Sequence, residues 1–294
     1  MISGTSPAWG RIYRPPMGRR LISGLAVFIS VFLFASLSEA ICKPGLVRRD
    51  GRFMPVAWNF GGRGVPAVAP SKEEKIVGLR YLAHSSFLIA GPGGGRFLTD
   101  PYWTNPLNPV PDAVSVSNLH DTHAQTGPYE GKTKIFYGAL MEGKPITVDT
   151  FIRKIRLFAF PQVYGDSKSP YVINTIFIFQ AGGICIAHLG NARFSPSEGQ
   201  IRALGKIHVL LLPIDGSLTV PHEIGAKIVK RIGPNIVIPM HYAGPELSAQ
   251  FAGAMKVEGF DRVKWAKSPE LSLSLRRLPP PTLFMVLPPA EDVP

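Results

Sequence analysis

Residues 174–191 read NTIFIFQAGGICIAHLGN, two β-rich apolar runs joined by a glycine pair and closed by His-Leu-Gly-Asn. Two more apolar runs follow, HVLLLPID at 208–215 and NIVIPMHY at 235–242. Apolar runs that lack polar alternation are typical of strands buried on both faces of a sheet. This region therefore predicts a buried sheet whose strands end in polar residues.

Helical patterns accompany these strands at 196–204, 221–231 and 246–258. Upstream, from residue 75 to residue 160, the runs are shorter and β-rich: IVGLRYLA, SSFLIA, RFLT, AVSVS, KIFYG and IRLFAF. A strand-rich half followed by strand–helix alternation predicts an α/β fold with helices covering the sheets. We place this domain at residues 73–278. Residues 41–72, rich in Gly, Pro and Arg, are predicted to be a linker or arm, and residues 279–294 an irregular Pro-rich tail.

The N-terminal segment, residues 1–40, has the order of a secretory signal peptide. Four arginines precede an uncharged apolar run at 21–37, and Ser38-Glu39-Ala40 offers small residues for cleavage. An uncleaved membrane anchor is the alternative, because the run has the lower-limit length for a spanning helix. The sequence predicts export to the periplasm or beyond, with membrane contact only through this segment if it is retained.

Composition excludes several classes of protein. The chain is 45% hydrophobic and 18% charged, which excludes intrinsic disorder. The net charge of +12 falls to +9 without residues 1–40, and no Lys/Arg cluster interleaved with aromatic residues supports nucleic-acid binding. Cys42 and Cys185 are too few for a disulfide scaffold or a Cys-rich zinc module, and Cys185 is predicted to be a core residue.

Histidines mark the ends of the predicted strands. His120 and His123 follow AVSVSN, His188 ends ICIA, His241 ends NIVIPM, and His84 lies in the tight connection between two strands. In layered α/β folds, side chains at the carboxyl ends of strands converge on one rim. Imidazole is the commonest metal ligand and general base, so the rim is predicted to be a metal or catalytic site.

Six motifs occur in a fixed order: YLAHSSFLI, FLTDPYW, VSVSNLHDTH, NTIFIFQAGGICIAHLGN, VLLLPIDG and VIPMHY. Over residues 75–245 this order resembles the metallo-β-lactamase-fold hydrolase superfamily. The branch that it resembles most is the one with ascorbate 6-phosphate lactonase-like proteins and the N-acyl-phosphatidylethanolamine phospholipase D. The resemblance implies a four-layer αββα sandwich with a metal site at the sheet edges, where two divalent ions usually activate a bridging hydroxide.

The family's metal motif, His-x-His-x-Asp-His, is degenerate in this chain. The matching positions are Asn118, His120, Thr122 and His123. The position of the family's bridging Asp is Asn191, and the last histidine is kept as His241. With both carboxylates replaced by neutral residues, the charge of two divalent ions would be left without compensation. A dinuclear site is therefore disfavoured.

One divalent ion, zinc, is predicted to be held by His120, His123 and His241 with an open position for water. Asn118, Asn191 and His188 are candidates for an extra contact or for hydrogen bonds behind the ligands. Asp100, Asp215 and His84 are the candidate catalytic residues. Either carboxylate would orient a histidine or act as a general base.

The sequence leaves three functions open. The first is an exported hydrolase with a mononuclear metal site that acts on a small ester, lactone or phosphodiester, with an anionic or lipid-like substrate. The second is a non-catalytic ligand-binding protein that retains the fold. The third is a membrane-associated scaffold anchored by residues 21–37.

Overall fold

The computed structural model describes residues 42, 47–49, 52–54, 74–103, 106–139, 148–164 and 171–290. The predicted signal segment and most of the predicted arm lie outside the described residues. Within these ranges, no helix has the length and apolar character needed to cross a membrane.

The described strands form two large mixed sheets. A six-stranded sheet has the order β15-β3-β4-β5-β6-β7, from β3 (Val77–Ala83), β4 (Ser86–Ala90), β5 (Arg96–Thr99), β6 (Ala113–Val116), β7 (Lys134–Tyr137) and β15 (Glu270–Leu273). An eight-stranded sheet has the order β14-β16-β13-β12-β11-β10-β9-β8, from β8 (Asp149–Ile152), β9 (Ile155–Tyr164), β10 (Tyr171–Ala181), β11 (Ile184–His188), β12 (Val209–Pro213), β13 (Ile236–Met240), β14 (Val263–Trp265) and β16 (Leu283–Val286). A separate hairpin pairs β1 (Val47–Arg49) with β2 (Arg52–Met54).

The predicted apolar runs are the central strands of the eight-stranded sheet. Every residue of β11, β12 and β13 is buried, as expected for strands covered on both faces. Between the sheets, Phe97 and Phe179 meet edge to face with ring centroids 5.0 Å apart. This inter-sheet core fixes the two sheets face to face, so that their strand ends share a rim.

Three α-helices of the described chain lie at α1 (Glu198–Leu204), α2 (His222–Ile232) and α3 (Pro245–Val257). Their apolar faces pack on the outer face of the eight-stranded sheet, where Phe251 of α3 lies 5.4 Å from Phe284 between ring centroids. Over the outer face of the six-stranded sheet, the described covering consists of loops and one short 3-10 helix, Gly127–Tyr129. The predicted α/β sandwich is confirmed, with loops in that outer layer.

The structure contradicts the prediction of an irregular tail and shows how the start of the predicted arm is held. The Pro-rich tail contains a buried strand, β16, which inserts in parallel between β13 and β14. Cys185 is buried as predicted, but it forms a disulfide with Cys42 across 143 residues of chain. The start of the predicted arm is therefore covalently fixed to β11, and the domain extends beyond the predicted limits of 73 and 278.

Candidate metal centre

Three histidines from separate strand ends form one cluster. His84 lies in the turn between β3 and β4, His123 in the loop after β6, and His241 directly after β13. One ring nitrogen of each lies within 4.8 Å of those of the other two. The rings of His84 and His241 are closest, with centroids 4.2 Å apart. The His241 amide also donates to the His84 carbonyl at 2.7 Å, which ties the two strand ends together.

A carboxylate lies behind two of the three imidazoles. The Nδ1 of His123 donates to Asp100 Oδ2 at 2.7 Å, and the Nδ1 of His241 donates to Asp215 Oδ2 at 2.9 Å. Protonation at Nδ1 leaves the Nε2 lone pair of each ring free. Metal-binding histidines are commonly oriented by such carboxylates. Asp100 and Asp215 thus take the first of their two predicted roles, that of orienting a histidine.

Both carboxylates are held ionised. Burial acts to raise the pKa of Asp100, but the charge of His188 and hydrogen bonds from His123 and Ser117 hold that pKa below its ordinary value. Burial also acts to raise the pKa of Asp215. Hydrogen bonds from His241, Thr219 and backbone amides outweigh it and keep the carboxyl acidic. Two negative charges therefore lie directly behind the histidine cluster.

Two ring nitrogens in the cluster are buried without a hydrogen-bond partner among the described residues. They are Nδ1 of His84 and Nε2 of His123. Burial, followed by the like charges of His241 and His123, lowers the pKa of His84 to about 3, so its imidazole is neutral near pH 7. A buried polar atom without a partner costs about 1–3 kcal/mol. Buried ring nitrogens without a hydrogen-bond partner, in a cluster of three histidines, fit a divalent metal ion.

Backbone strain is concentrated at this site. Positive φ angles occur at His84 (52°), Asp100 (38°) and His241 (55°). Among the described non-glycine residues, the others with positive φ are Arg153 and Lys154, in the β8–β9 hairpin turn. Such conformations cost about 1–3 kcal/mol each and persist where the surrounding structure enforces them. The strained backbone conformations therefore occur at two histidines of the cluster, His84 and His241, and at Asp100, the carboxylate behind His123.

His120 does not join the cluster, and His84 occupies the third place instead. The His120 side chain is exposed, and its Nδ1 lies 3.0 Å from Thr122 Oγ1. Asn118 and Thr122, which replace the family's His and Asp, hydrogen-bond the backbone and ring of His120, and the role of His120 as a ligand stays a prediction. His84 was predicted to be catalytic, and the structure makes it a candidate ligand.

The remaining predicted residues serve the rim in other ways. Asn118 donates to the Ile173 carbonyl and accepts the His120 amide, so its polar atoms are already engaged. His188 uses both ring nitrogens, on the Ser85 carbonyl and the Gly190 amide, which excludes it as a ligand in this arrangement. The Oδ1 of Asn191 is buried and has no hydrogen-bond partner in the described chain. A contact from Asn191 stays a prediction.

Gly190 allows the close packing of this rim. It has a φ of 61°, and a Cβ there would overlap Asn174 Oδ1 and the side chain of Ser117. Asn174 Oδ1 accepts the Asn191 amide at 2.9 Å. The His-Leu-Gly-Asn segment therefore needs its glycine so that β11 can end against the loop after β6.

The sequence profile of the beta-lactamase superfamily domain matches residues 78–241, more than half of the chain. The chain belongs to the metallo-β-lactamase superfamily. A metal-dependent hydrolase from Aeropyrum pernix is 28% identical over 198 residues, covering 56% of this chain and 81% of the relative. Another from Symbiobacterium thermophilum is 31% identical over 191 residues, covering 56% and 83%.

Two solved structures share the fold of this chain. The metallo hydrolase Igni18 of Ignicoccus hospitalis has a TM-score of 0.52 at 21% identity, covering 68% of this chain and 98% of that structure. A Thermotoga maritima member of the superfamily has a TM-score of 0.51 at 20% identity, covering 72% and 98%. The match to the sequence profile confirms the predicted superfamily, and its lactonase-like branch stays a prediction.

Within this metallo-β-lactamase domain, Asp215→Asn tests the orienting carboxylates. An amide nitrogen facing His241 Nδ1 would favour the wrong imidazole tautomer, so we expect zinc affinity to fall about 10–100-fold. Isothermal titration with zinc measures the change. The matched control is Asp261→Asn, at an exposed carboxylate outside the cluster, which should leave the affinity unchanged. Equal affinities in the two variants would show that Asp215 does not orient a ligand.

Proposed function

We propose that this protein is an exported metal-dependent hydrolase with a mononuclear site at His84, His123 and His241. The observation that carries the proposal is the convergence of three imidazoles, one half-buried and two buried, with carboxylates behind the two buried ones. The relatives named as metal-dependent hydrolases support the same chemistry. Three histidines with one open position form a known catalytic zinc arrangement.

Charge supports one ion rather than two. In the described cluster no carboxylate is itself among the three candidate ligands, while Asp100 and Asp215 lie one hydrogen bond behind them. Their two negative charges match one divalent ion, and a second ion would be left without compensation. In this chain, negative charge would come from Asp100 and Asp215 behind the histidines, and not from carboxylates bound to the metal as in the family motif.

The chain's own residues would hold, orient and shield the reacting centre. A bound ion would polarise the substrate carbonyl or phosphoryl oxygen and lower the pKa of a bound water. Asp100 and Asp215 keep the Nε2 lone pairs of His123 and His241 directed inward. Tyr102 stacks on His84 with ring centroids 5.1 Å apart and keeps 40% of its surface exposed. It would offer an apolar surface to a substrate at the mouth of the site.

We propose a small ester, lactone or phosphodiester as the substrate, including anionic or lipid-like examples. Export is supported by the Cys42–Cys185 disulfide, because disulfides persist in oxidising compartments. The predicted signal segment at residues 1–40 is consistent with this location.

The proposal is tested by metal analysis and hydrolysis assays on the purified protein. The substrates are p-nitrophenyl butyrate, a δ-lactone and bis(p-nitrophenyl) phosphate, each tried with zinc, manganese and iron. We expect one ion per chain and hydrolysis of at least one substrate, lost on chelation and restored by the metal. Stable folding without stoichiometric metal, and no hydrolysis after reloading, would favour the non-catalytic ligand-binding protein instead.

A further inference from the structure

A cavity of about 480 Å³ lies at the end of the domain opposite the metal centre. The start of β3 and three hairpin turns, β4–β5, β8–β9 and β10–β11, form its walls. Its lining includes Lys75, Ile76, Gly93, Lys154 and Gly183. His84 of the metal centre follows the other end of β3, so the length of that strand separates the two sites by more than about 20 Å.

Glycines in the turns leave the space for this cavity. A Cβ at Gly93 would lie 2.9 Å from Lys154 Cδ, which is closer than two carbon atoms can pack. A Cβ at Gly183 would lie 2.7 Å from Leu275 Cδ1. The absence of side chains at these turns therefore keeps the cavity open and brings Leu275, from the loop after β15, to its edge.

The cavity is lined by two cations without ion-pair partners. Lys75 and Lys154 are exposed, and neither contacts a carboxylate among the described residues. Glu74 also lines the cavity, but its carboxylate is already paired with Arg277 at 2.7 Å and accepts a hydrogen bond from Ser274 at 2.6 Å. The charge offered to a ligand is therefore positive.

Apolar side chains are exposed beside these cations. Ile76 lines the cavity and is 38% exposed, and Leu275 at its edge is 42% exposed. Arg276, the next residue, is exposed and adds a further cation. Exposed aliphatic groups among cations fit an anionic lipid surface, because the aliphatic groups enter the headgroup layer while the cations meet phosphates. Nucleic acid would pair with the cations alone.

We propose that this end of the domain docks on an anionic membrane surface, with a lipid phosphate in the cavity lined by Lys75 and Lys154. Ile76 and Leu275 then lie at the level of the headgroups. This interface is separate from the N-terminal segment, and it does not depend on the proposed hydrolase activity. Because the metal centre lies at the opposite end of β3, docking leaves the three-histidine cluster accessible from solvent.

Cosedimentation with vesicles tests the charged part of this interface. Protein recovered without detergent from the exported fraction is mixed with phosphatidylcholine vesicles, with or without about 30% phosphatidylglycerol. We expect at least about tenfold stronger partitioning onto the anionic vesicles, decreasing as salt rises from about 0.05 M to about 0.5 M. Lys75→Glu combined with Lys154→Glu should weaken this partitioning by about 25-fold or more, since each basic residue contributes about fivefold.

A matched control separates the position of the charges from their number. Lys227→Glu combined with Lys264→Glu changes the net charge equally, at exposed positions on α2 and β14. Its partitioning should stay within about threefold of the wild type.

Leu275→Ser tests the apolar part of the interface. It should weaken partitioning about threefold or more, and this loss should persist at high salt, where the effect of the lysines disappears. Circular dichroism should show the wild-type fold in every variant.

Equal partitioning of the wild type onto both kinds of vesicle would overturn the proposal. Wild-type partitioning by the Lys75 and Lys154 variant would do the same, and so would an equal loss in the Lys227 and Lys264 control, which would show attraction by net charge alone. Isothermal titration with inorganic pyrophosphate distinguishes a soluble ligand. Lysine-dependent binding of pyrophosphate without vesicle binding would assign the cavity to a free anion and exclude the membrane interface.

Discussion

His84→Ala should abolish stoichiometric metal binding and lower kcat/KM by about 10³-fold or more. The loss should exceed the 10–100-fold typical of residues behind the ligands, because His84 supplies one of only three candidate ligand nitrogens. Its Nδ1 is buried without a hydrogen-bond partner among the described residues, and a bound ion would give that atom a partner. Inductively coupled plasma mass spectrometry and steady-state kinetics measure the two effects.

His222→Gln is the matched control for this experiment. His222 lies at the start of α2, where its Nε2 bonds to the Ile214 carbonyl at 2.8 Å, and it is not part of the cluster. Metal content and kcat/KM should be unchanged in this variant. If His84→Ala also keeps its metal and activity, the ion lies elsewhere, and the assignment of His84 as a ligand is wrong.

Among the variants considered, removal of the disulfide should cause the largest loss of unfolding free energy. Cys42 and Cys185 are both buried, and their bond closes a loop of 143 residues. Such a crosslink restricts the unfolded chain, so the double variant Cys42→Ser and Cys185→Ser should lose about 2–5 kcal/mol of unfolding free energy. Denaturant unfolding followed by circular dichroism measures the change.

A reductant provides the control for the disulfide. It should destabilise the wild type by a similar amount and leave the double variant unaffected. Native protein isolated from the exported fraction should show no free thiol by alkylation and mass spectrometry. Two free thiols in that protein, or equal unfolding free energies for wild type and variant, would contradict the disulfide and weaken the case for export.

Much of the fold could be predicted from the sequence because burial leaves a strong pattern. The continuous apolar runs at 184–190, 208–215 and 235–242 can be kept from water only in strands that are covered on both faces. β11, β12 and β13 are such strands, and every residue in them is buried. The Pro-rich tail concealed β16 because its apolar run, LFMV, is short and flanked by prolines. A strand of four residues is too short for its own sequence pattern to predict it, and it becomes evident only from the strands that it pairs with.

The site could be predicted only in part. His123 and His241 follow strands whose ends share the rim, so their convergence follows from topology. His84 was harder to assign as a ligand because its direction depends on a positive φ in a two-residue turn. Histidine is among the residues that adopt such angles more readily, and this is the signal that the sequence offered. The position of His120 outside the cluster could not be predicted, because it depends on local hydrogen bonds with Asn118 and Thr122.

The disulfide could have been predicted from the sequence, although the small number of cysteines pointed away from it. Two cysteines cannot form a disulfide scaffold, but in a chain predicted to be exported a single pair has only one way to bond. Cys42 lies in a segment without periodicity, so nothing in its neighbours indicated that it reaches β11. The backbone contacts that place it there, with Leu204 and Lys206, come from α1 and the residues after it.

Anomalous diffraction from a crystal of the zinc-loaded protein, recorded on both sides of the zinc absorption edge, tests the central claim most directly. We expect one anomalous peak per chain, in contact with ring nitrogens of His84, His123 and His241 and with one non-protein oxygen. Two peaks at the rim, or one peak bound by His120 in place of His84, would contradict the mononuclear site proposed for this chain.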